Sequence, residues 1–201
     1  FIFQQTMLFT IPLMIVALGG MFSERSGVVN IALEGIMTMG AFTGILFLNM
    51  TGGRMSRQMQ LLLAILISTG TGAVFAFFHA YASINMKANQ TISGTALNMF
   101  APAFAIFVAR VIQGVQQIQF NNTFRIESVP LLGSIPFFGP LLFQNTYITT
   151  YLGIAILILS TLVLYRTRFG LRLRSCGEHR QAADAAGINV CRMQYAGVLI
   201  S

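Results

Sequence analysis

Side chains able to do chemistry are scarce in this 201-residue sequence, and most of them fall in three clusters. The first, Phe22-Ser-Glu-Arg-Ser-Gly-Val-Val-Asn-Ile-Ala-Leu-Glu-Gly-Ile-Met, sets Asn30 and Glu34 four residues apart. On a helix that spacing puts both on one face, and Thr38 continues the stripe. An ionisable group at membrane depth costs about 2.5 kcal/mol or more, so it faces a bundle interior, a pathway or a partner charge. Two readings stand for Glu34: a group lining a polar path, or an interfacial residue that ties helices together with Arg25. The second cluster crowds Asn89, Gln90, Thr91, Ser93, Thr95 and Asn98 into the opening of an apolar run, with Gly94 able to interrupt a helix. These amides and hydroxyls suit contact with a polyhydroxyl solute or, equally, hydrogen bonds between helices. The third cluster lies between Arg166 and Arg192, where half of the twelve basic residues face Glu178 and Asp184. Within it, Gln181 to Ala186 have high helix propensity and Gly187 stands at a stop position. A short surface helix follows, whose small residues Ala182, Ala183 and Ala186 can enter a partner's groove; the alternative is a basic loop against anionic headgroups.

Catalytic and metal signatures are lacking. His79 and His179 sit far apart with no protease or triad context, and His79, at the end of an apolar run, reads as interfacial. Cys176 and Cys191 have a spacing that fits no common metal or redox motif and read as reduced and incidental. There is no Gly-rich phosphate loop of the Walker type, so any ATP must be bound by another chain. No cofactor and no metal is expected on this one.

The elements that position these clusters follow from composition. Hydrophobic residues make up 55% of the chain and charged ones 8%, too few for a water-soluble surface. Residues 1–23, 35–53, 58–86, 88–109 and 128–165 carry no charge. Most of these gaps reach the roughly 20 apolar residues that cross a hydrocarbon core. The expectation is an all-α, polytopic integral membrane bundle with spans at Thr6–Phe22, Val28–Leu48, Leu61–Phe78, Thr91–Val111 and Tyr147–Leu164, and a further one opening near Gln194. In domain terms, residues 1–165 hold the spans with an external loop at 113–146. Residues 166–193 form a cytoplasmic loop and helix, and 194–201 begin another span, as in a fragment of a longer chain. The apolar stretch Leu131–Phe143 is too short and Pro/Gly-rich to cross, and reads as a loop lying on the protein or a re-entrant piece. Gly40 and Gly44 form a small-xxx-small pair for close helix packing.

Basic residues orient the chain. The Arg-rich segment 166–192 belongs in the cytoplasm, which puts 113–146 outside, Lys87 inside and Arg54 and Arg57 outside. The last placement runs against the usual bias, and a Ser23–Gly27 break within the membrane, making one early segment re-entrant, would explain it. The net charge of +7 reads as this topology rather than as a nucleic-acid footprint.

Three stretches carry a resemblance: GGMFSERSGVVNIALEGIMTMGAF, ANQTISGTALNMF and YRTRFGLRLRSCGEHRQAADAAGINV, with IPFFGPLLF between the last two. In this order they resemble permease subunits of bacterial ABC importers in the branched-chain amino acid/ribose/nucleoside class, and most of all those for purine nucleosides such as guanosine. The resemblance implies the transmembrane domain of an ATP-driven importer in the bacterial cytoplasmic membrane, and not an enzyme. Its partners would be a second permease subunit, two ATP-binding subunits that hydrolyse the ATP, an extracytoplasmic solute-binding lipoprotein and the lipid bilayer. It also implies that the segment 170–190 holds the helix that docks on the ATPase; Gly177, Glu178, Ala182, Ala183 and Gly187 match its core, and Gly170 and Arg172 complete the candidate coupling residues. Asn30, Glu34, Phe42, Gln90, Ser93, Asn98 and Phe100 are the candidates for the nucleoside pathway. Ala32 stands where the family commonly has Gly, and Arg180 where it has Pro, which leaves the start of the docking helix less sharply set. Rival readings are a permease for riboflavin or a simple sugar, an ATP-independent secondary transporter or channel, and, least favoured, an intramembrane enzyme.

Overall fold

The computed structural model describes residues 2–51, 56–114, 116, 118, 125–128 and 144–201. Among them are helices α1 (Ile2–Arg25), α2 (Leu33–Met50), α3 (Arg57–Ala80), α4 (Gln90–Gln113), α5 (Ile148–Arg166), α6 (Arg168–Glu178), α7 (Arg180–Ala185) and α8 (Val190–Ile200). Five of them, α1 to α5, are long and apolar enough to cross a membrane. The helical membrane bundle expected from the sequence is thus present. An antiparallel ribbon of β1 (Arg125–Ser128) and β2 (Gln144–Tyr147), with Arg125 opposite Tyr147, is an addition inside the long connection. The Leu131–Phe143 stretch and Arg54 lie outside the described residues.

Local chemistry sets several helix ends. The Asn89 side chain accepts from the Thr91 and Ile92 amides to open α4, and Gly114, at φ +71°, closes it. Asn189 opens α8 by accepting from the Arg192 amide. Thr167 opens α6 by accepting from Gly170. Gly187, at φ +78°, ends α7 as the stop position predicted, a left-handed conformation open to Gly. Pro12 and Pro102 sit inside α1 and α4, as membrane helices tolerate.

Small residues bring the helices together. Gly40 and Gly44 lie on Ser68 of α3, so the predicted pair does pack closely, and Gly94, Ala101, Ala105 and Ala109 form the buried stripe of α4. The other packed pair is α1 with α5, where Gly153 rests on Ile11. Wedged against α1 and α3 is α8: Gly197 meets Ser26 and the Phe22 carbonyl, while Val198 packs among Val28, Ala76, Ala80 and Ile84. Outward faces of the spans carry large apolar side chains such as Leu13, Ile92 and Met99, as lipid contact requires.

The second span differs from its expected bounds. Residues 28–32 are unwound, and α2 starts at Leu33 rather than Val28. Both α1 and α2 still have spanning length, and the short stretch between them turns back into the bundle. Leu33 lies beside Gly20, five residues before α1 ends, about 7.5 Å along its axis. A Gln113–Asn49 hydrogen bond joins the ends of α4 and α2. Arg57, which begins α3, is therefore at the end of the bundle opposite the Arg-rich α6–α7 segment.

Candidate functional site

Unwinding residues 28–32 exposes main-chain groups inside an apolar bundle, where each needs a partner. The Ser23 hydroxyl donates to the Val28 carbonyl at 2.6 Å and accepts from the Asn30 amide at 2.9 Å. Gln90 Oε1 accepts from the Val29 amide at 2.9 Å. The Asn30 side-chain oxygen takes the Ala32 amide, and its Nδ2 donates to Ser201 Oγ at 2.6 Å. Asn98 serves both sides of the break: Nδ2 donates to the Ile31 carbonyl at 2.8 Å, and Oδ1 accepts from the Gly35 amide at 2.7 Å. Since Ala32 gives α2 no side-chain cap, Asn98 caps α2 from a neighbouring helix.

His79 completes the shell. It is fully buried, with Nε2 3.2 Å from the Val29 carbonyl and Nδ1 3.2 Å from Ser93 Oγ. A carbonyl oxygen only accepts, so Nε2 carries the proton; in the neutral ring Nδ1 then accepts from the Ser93 hydroxyl. Glycines let the neighbours approach. A Cβ on Gly94 would stand 2.7 Å from Ile31 Cβ, and one on Gly35 2.7 Å from the Leu97 carbonyl oxygen. Gly27 makes the sharp turn at φ +87°.

The candidates from sequence divide accordingly. Asn30, Gln90, Ser93 and Asn98 converge, yet their hydrogen bonds go to the broken segment and its surroundings. Asn30 is not helical, so it does not share a helical face with Glu34 and Thr38; the break intervenes. Glu34 is exposed in the first turn of α2; its carbonyl accepts from the Thr38 hydroxyl at 2.8 Å, while its carboxylate has no hydrogen bond or ion pair to the described residues, Arg25 included. Phe42 is half-buried on α2. Phe100 stands half-exposed on α4 and stacks with Phe75 and Phe104, at 6.3 and 5.3 Å between centroids. His79 and Ser23 were missed as parts of this site. A buried histidine amid apolar residues was the available signal for one, and the serine before an acidic-basic pair gave none.

The Arg-rich segment folds as two helices, where sequence patterning gave one. Gly170 is pressed against the Val163 and Leu164 carbonyls at the end of α5, which lets α6 fold sharply back. Leu173 is buried with Phe22 and Leu164. Arg172, Glu178 and Ala182 are exposed, whereas Ala183 is buried with Cys176 and Val190, so of the small face only Ala182 and Ala186 look outward. α7 begins at Arg180 with no side-chain cap from His179. Burial pushes the Cys176 thiol up, the Ser175 hydrogen bond and the Arg180 charge pulling back less. An open cleft of about 550 Å³ lies between α7 and α8, lined by Arg180, Gln181, Asp184, Asn189, Val190 and Cys191. No group of three or more metal-binding side chains occurs among the described residues.

Polar side chains from α1, α3 and α4 thus clamp the unwound connection between α1 and α2, and the basic helix pair lies against that connection at one end of the bundle. The chain is 45% identical over 195 residues to the nucleoside ABC transporter permease protein NupC of Lactococcus lactis, covering 97% of this chain and 61% of that protein. It is 45% identical over 197 residues to the guanosine ABC transporter permease protein NupQ of Bacillus subtilis, with 98% and 61% covered. The chain thus spans about 61% of the length of these curated relatives. No solved structure matches it. The family model for the branched-chain amino acid transport system permease component matches residues 2–201, and the chain belongs to that family.

Proposed function

We propose that this chain forms the translocation pathway of an ATP-driven importer that carries a purine-type nucleoside across the bacterial cytoplasmic membrane. The observation that carries this reading is the 45% identity to nucleoside and guanosine permeases, held along 97% and 98% of the chain. Residues 166–193 lie in the cytoplasm, as the Arg concentration directs, and 113–146 lie outside. ATP is bound and hydrolysed by partner subunits that dock on α6–α7, using Gly170, Arg172, Gly177, Glu178, Ala182, Ala183 and Gly187. A second permease subunit and an extracytoplasmic lipoprotein complete the assembly.

The solute passes beside the broken segment. Glu34, whose carboxylate has no partner among the described residues, supplies that carboxylate to the path, and Phe42 and Phe100 supply faces for a base. Asn30, Gln90, Ser93 and Asn98 border it while holding the break in shape. Uptake of labelled guanosine by cells expressing the complete transporter tests the reading, with adenosine, uridine, riboflavin and ribose as competitors. Uptake lost on ATP depletion and competed by nucleosides supports it. Competition by riboflavin or ribose alone moves the substrate, and uptake that survives ATP depletion makes the protein a secondary transporter.

A further inference from the structure

We infer that the α1–α2 connection Ser26–Ala32, with the unwound residues 28–32 at its end, is the positioning element that carries movement of the cytoplasmic helix pair into the α2–α4 group. Its input contact is Gly27 with Gly177, and its outputs are His79, Gln90 and Asn98. This inference rests on the importer reading. Helix α6 packs on α1, α5, α7 and α8, whereas α2, α3 and α4 pack chiefly on one another. The broken segment touches both sets.

Its two sides differ in kind from ordinary helix packing. On the input side, backbone meets backbone: a Cβ on Gly177 would stand 2.5 Å from the Arg25 carbonyl oxygen and 3.3 Å from the Gly27 nitrogen. One on Gly27 would lie 3.4 Å from the Cys176 carbonyl oxygen. The Gln194 amide, 3.6 Å from that position, borders this contact, while the closest approaches are between main-chain atoms. On the output side, side chains borne by α3 and α4 bond directly to main-chain atoms of Val29, Ile31 and Gly35. Because these bonds replace a helical ladder, the segment can change φ and ψ without breaking one. The competing route runs through α8, which touches both α6 and α3. Its seam with α3 is apolar, Val198 against Ala76 and Ala80, and its directed bond there, from the Tyr195 hydroxyl to Asn85 Oδ1 at 2.7 Å, ends on the turn past α3 rather than on α2 or α4.

The test is hydrogen–deuterium exchange on the complete transporter with its ATP-binding subunits, at rest and trapped with ATP and vanadate. Amides of residues 27–35 should change exchange by about tenfold or more together with residues 168–189. A response confined to 168–189 overturns the relay while leaving the importer reading intact. If no ATP-binding subunit co-purifies and neither region responds, the importer reading itself falls, and the relay with it. In a second arm, Gly27→Ala, which strains the left-handed turn at φ +87° beside Gly177, should cut uptake about tenfold while ATP hydrolysis and the amount of assembled transporter stay within about twofold. Wild-type uptake in that variant overturns the contact's role. Should Gly27→Ala fail to assemble, the exchange experiment on the unaltered protein still decides.

Discussion

Replacing Asn98 with leucine tests the central claim that the break is held by side chains from other helices. Leucine keeps much of the volume and removes both bonds, to the Ile31 carbonyl at 2.8 Å and from the Gly35 amide at 2.7 Å. In water-soluble proteins each main-chain group left unpaired costs about 1–3 kcal/mol. Interhelical bonds within membranes average about 0.6 kcal/mol and reach about 1.7 kcal/mol. The Gly35 amide is among the first four donors of α2, and Ala32 offers no cap to replace the lost acceptor, so the upper part of the membrane range applies. Two bonds then give a loss of about 2–3 kcal/mol. The assay is reversible unfolding of the purified protein in mixed micelles with rising dodecyl sulfate, followed by circular dichroism. Thr95→Val is the control, because its hydroxyl bonds the Thr91 carbonyl of its own helix and faces outward; its cost should stay within about 0.5 kcal/mol. Equal losses for the two variants would mean that the break does not depend on Asn98.

Further outcomes follow from the same geometry. Glu34→Gln should alter the KM or turnover of nucleoside uptake with the amount of protein in the membrane unchanged; a change confined to that amount would assign Glu34 a packing role. Gly94→Ala places a methyl group 2.7 Å from Ile31 Cβ and should cost about 1–3 kcal/mol by overpacking, read in the same unfolding assay; an unchanged midpoint would show the contact to be loose. Replacing Glu178 and Gly187 together should abolish uptake while membrane insertion persists, so normal uptake would exclude this surface from ATPase docking. Thiol reagents act on the thiolate, and burial raises the Cys176 pKa, so at pH 8 exposed Cys191 should label well before Cys176. Equal rates for both would contradict the buried position of Cys176.

Much of the architecture is legible because a membrane imposes a simple rule. Long charge-free runs must become spanning helices, and the five spans appear where hydropathy puts them, within a few residues. Gly40 with Gly44, Gly187 and the Arg-rich segment were legible for the same reason: each acts over a turn or two of local chain. Asn30 was misjudged because a four-residue spacing reads as one helical face whenever the backbone is taken as helical. Nothing local in Val28-Val-Asn-Ile-Ala unwinds it. The α6 helix was missed because its exposed arginines hide a buried face of Gly170, Leu173 and Cys176.

The sequence by itself thus determined the membrane bundle, its spans and the concentration of charge at one end, since these depend on the transfer of each segment from water to lipid. The tertiary structure alone decided that the α1–α2 connection unwinds inside the bundle and that Gln90, His79 and Asn98 serve its backbone. The reason is physical. An unwound segment in hydrocarbon survives where distant side chains can satisfy its amides and carbonyls, and those partners lie about 50 to 70 residues away along the chain, beyond the reach of any local pattern.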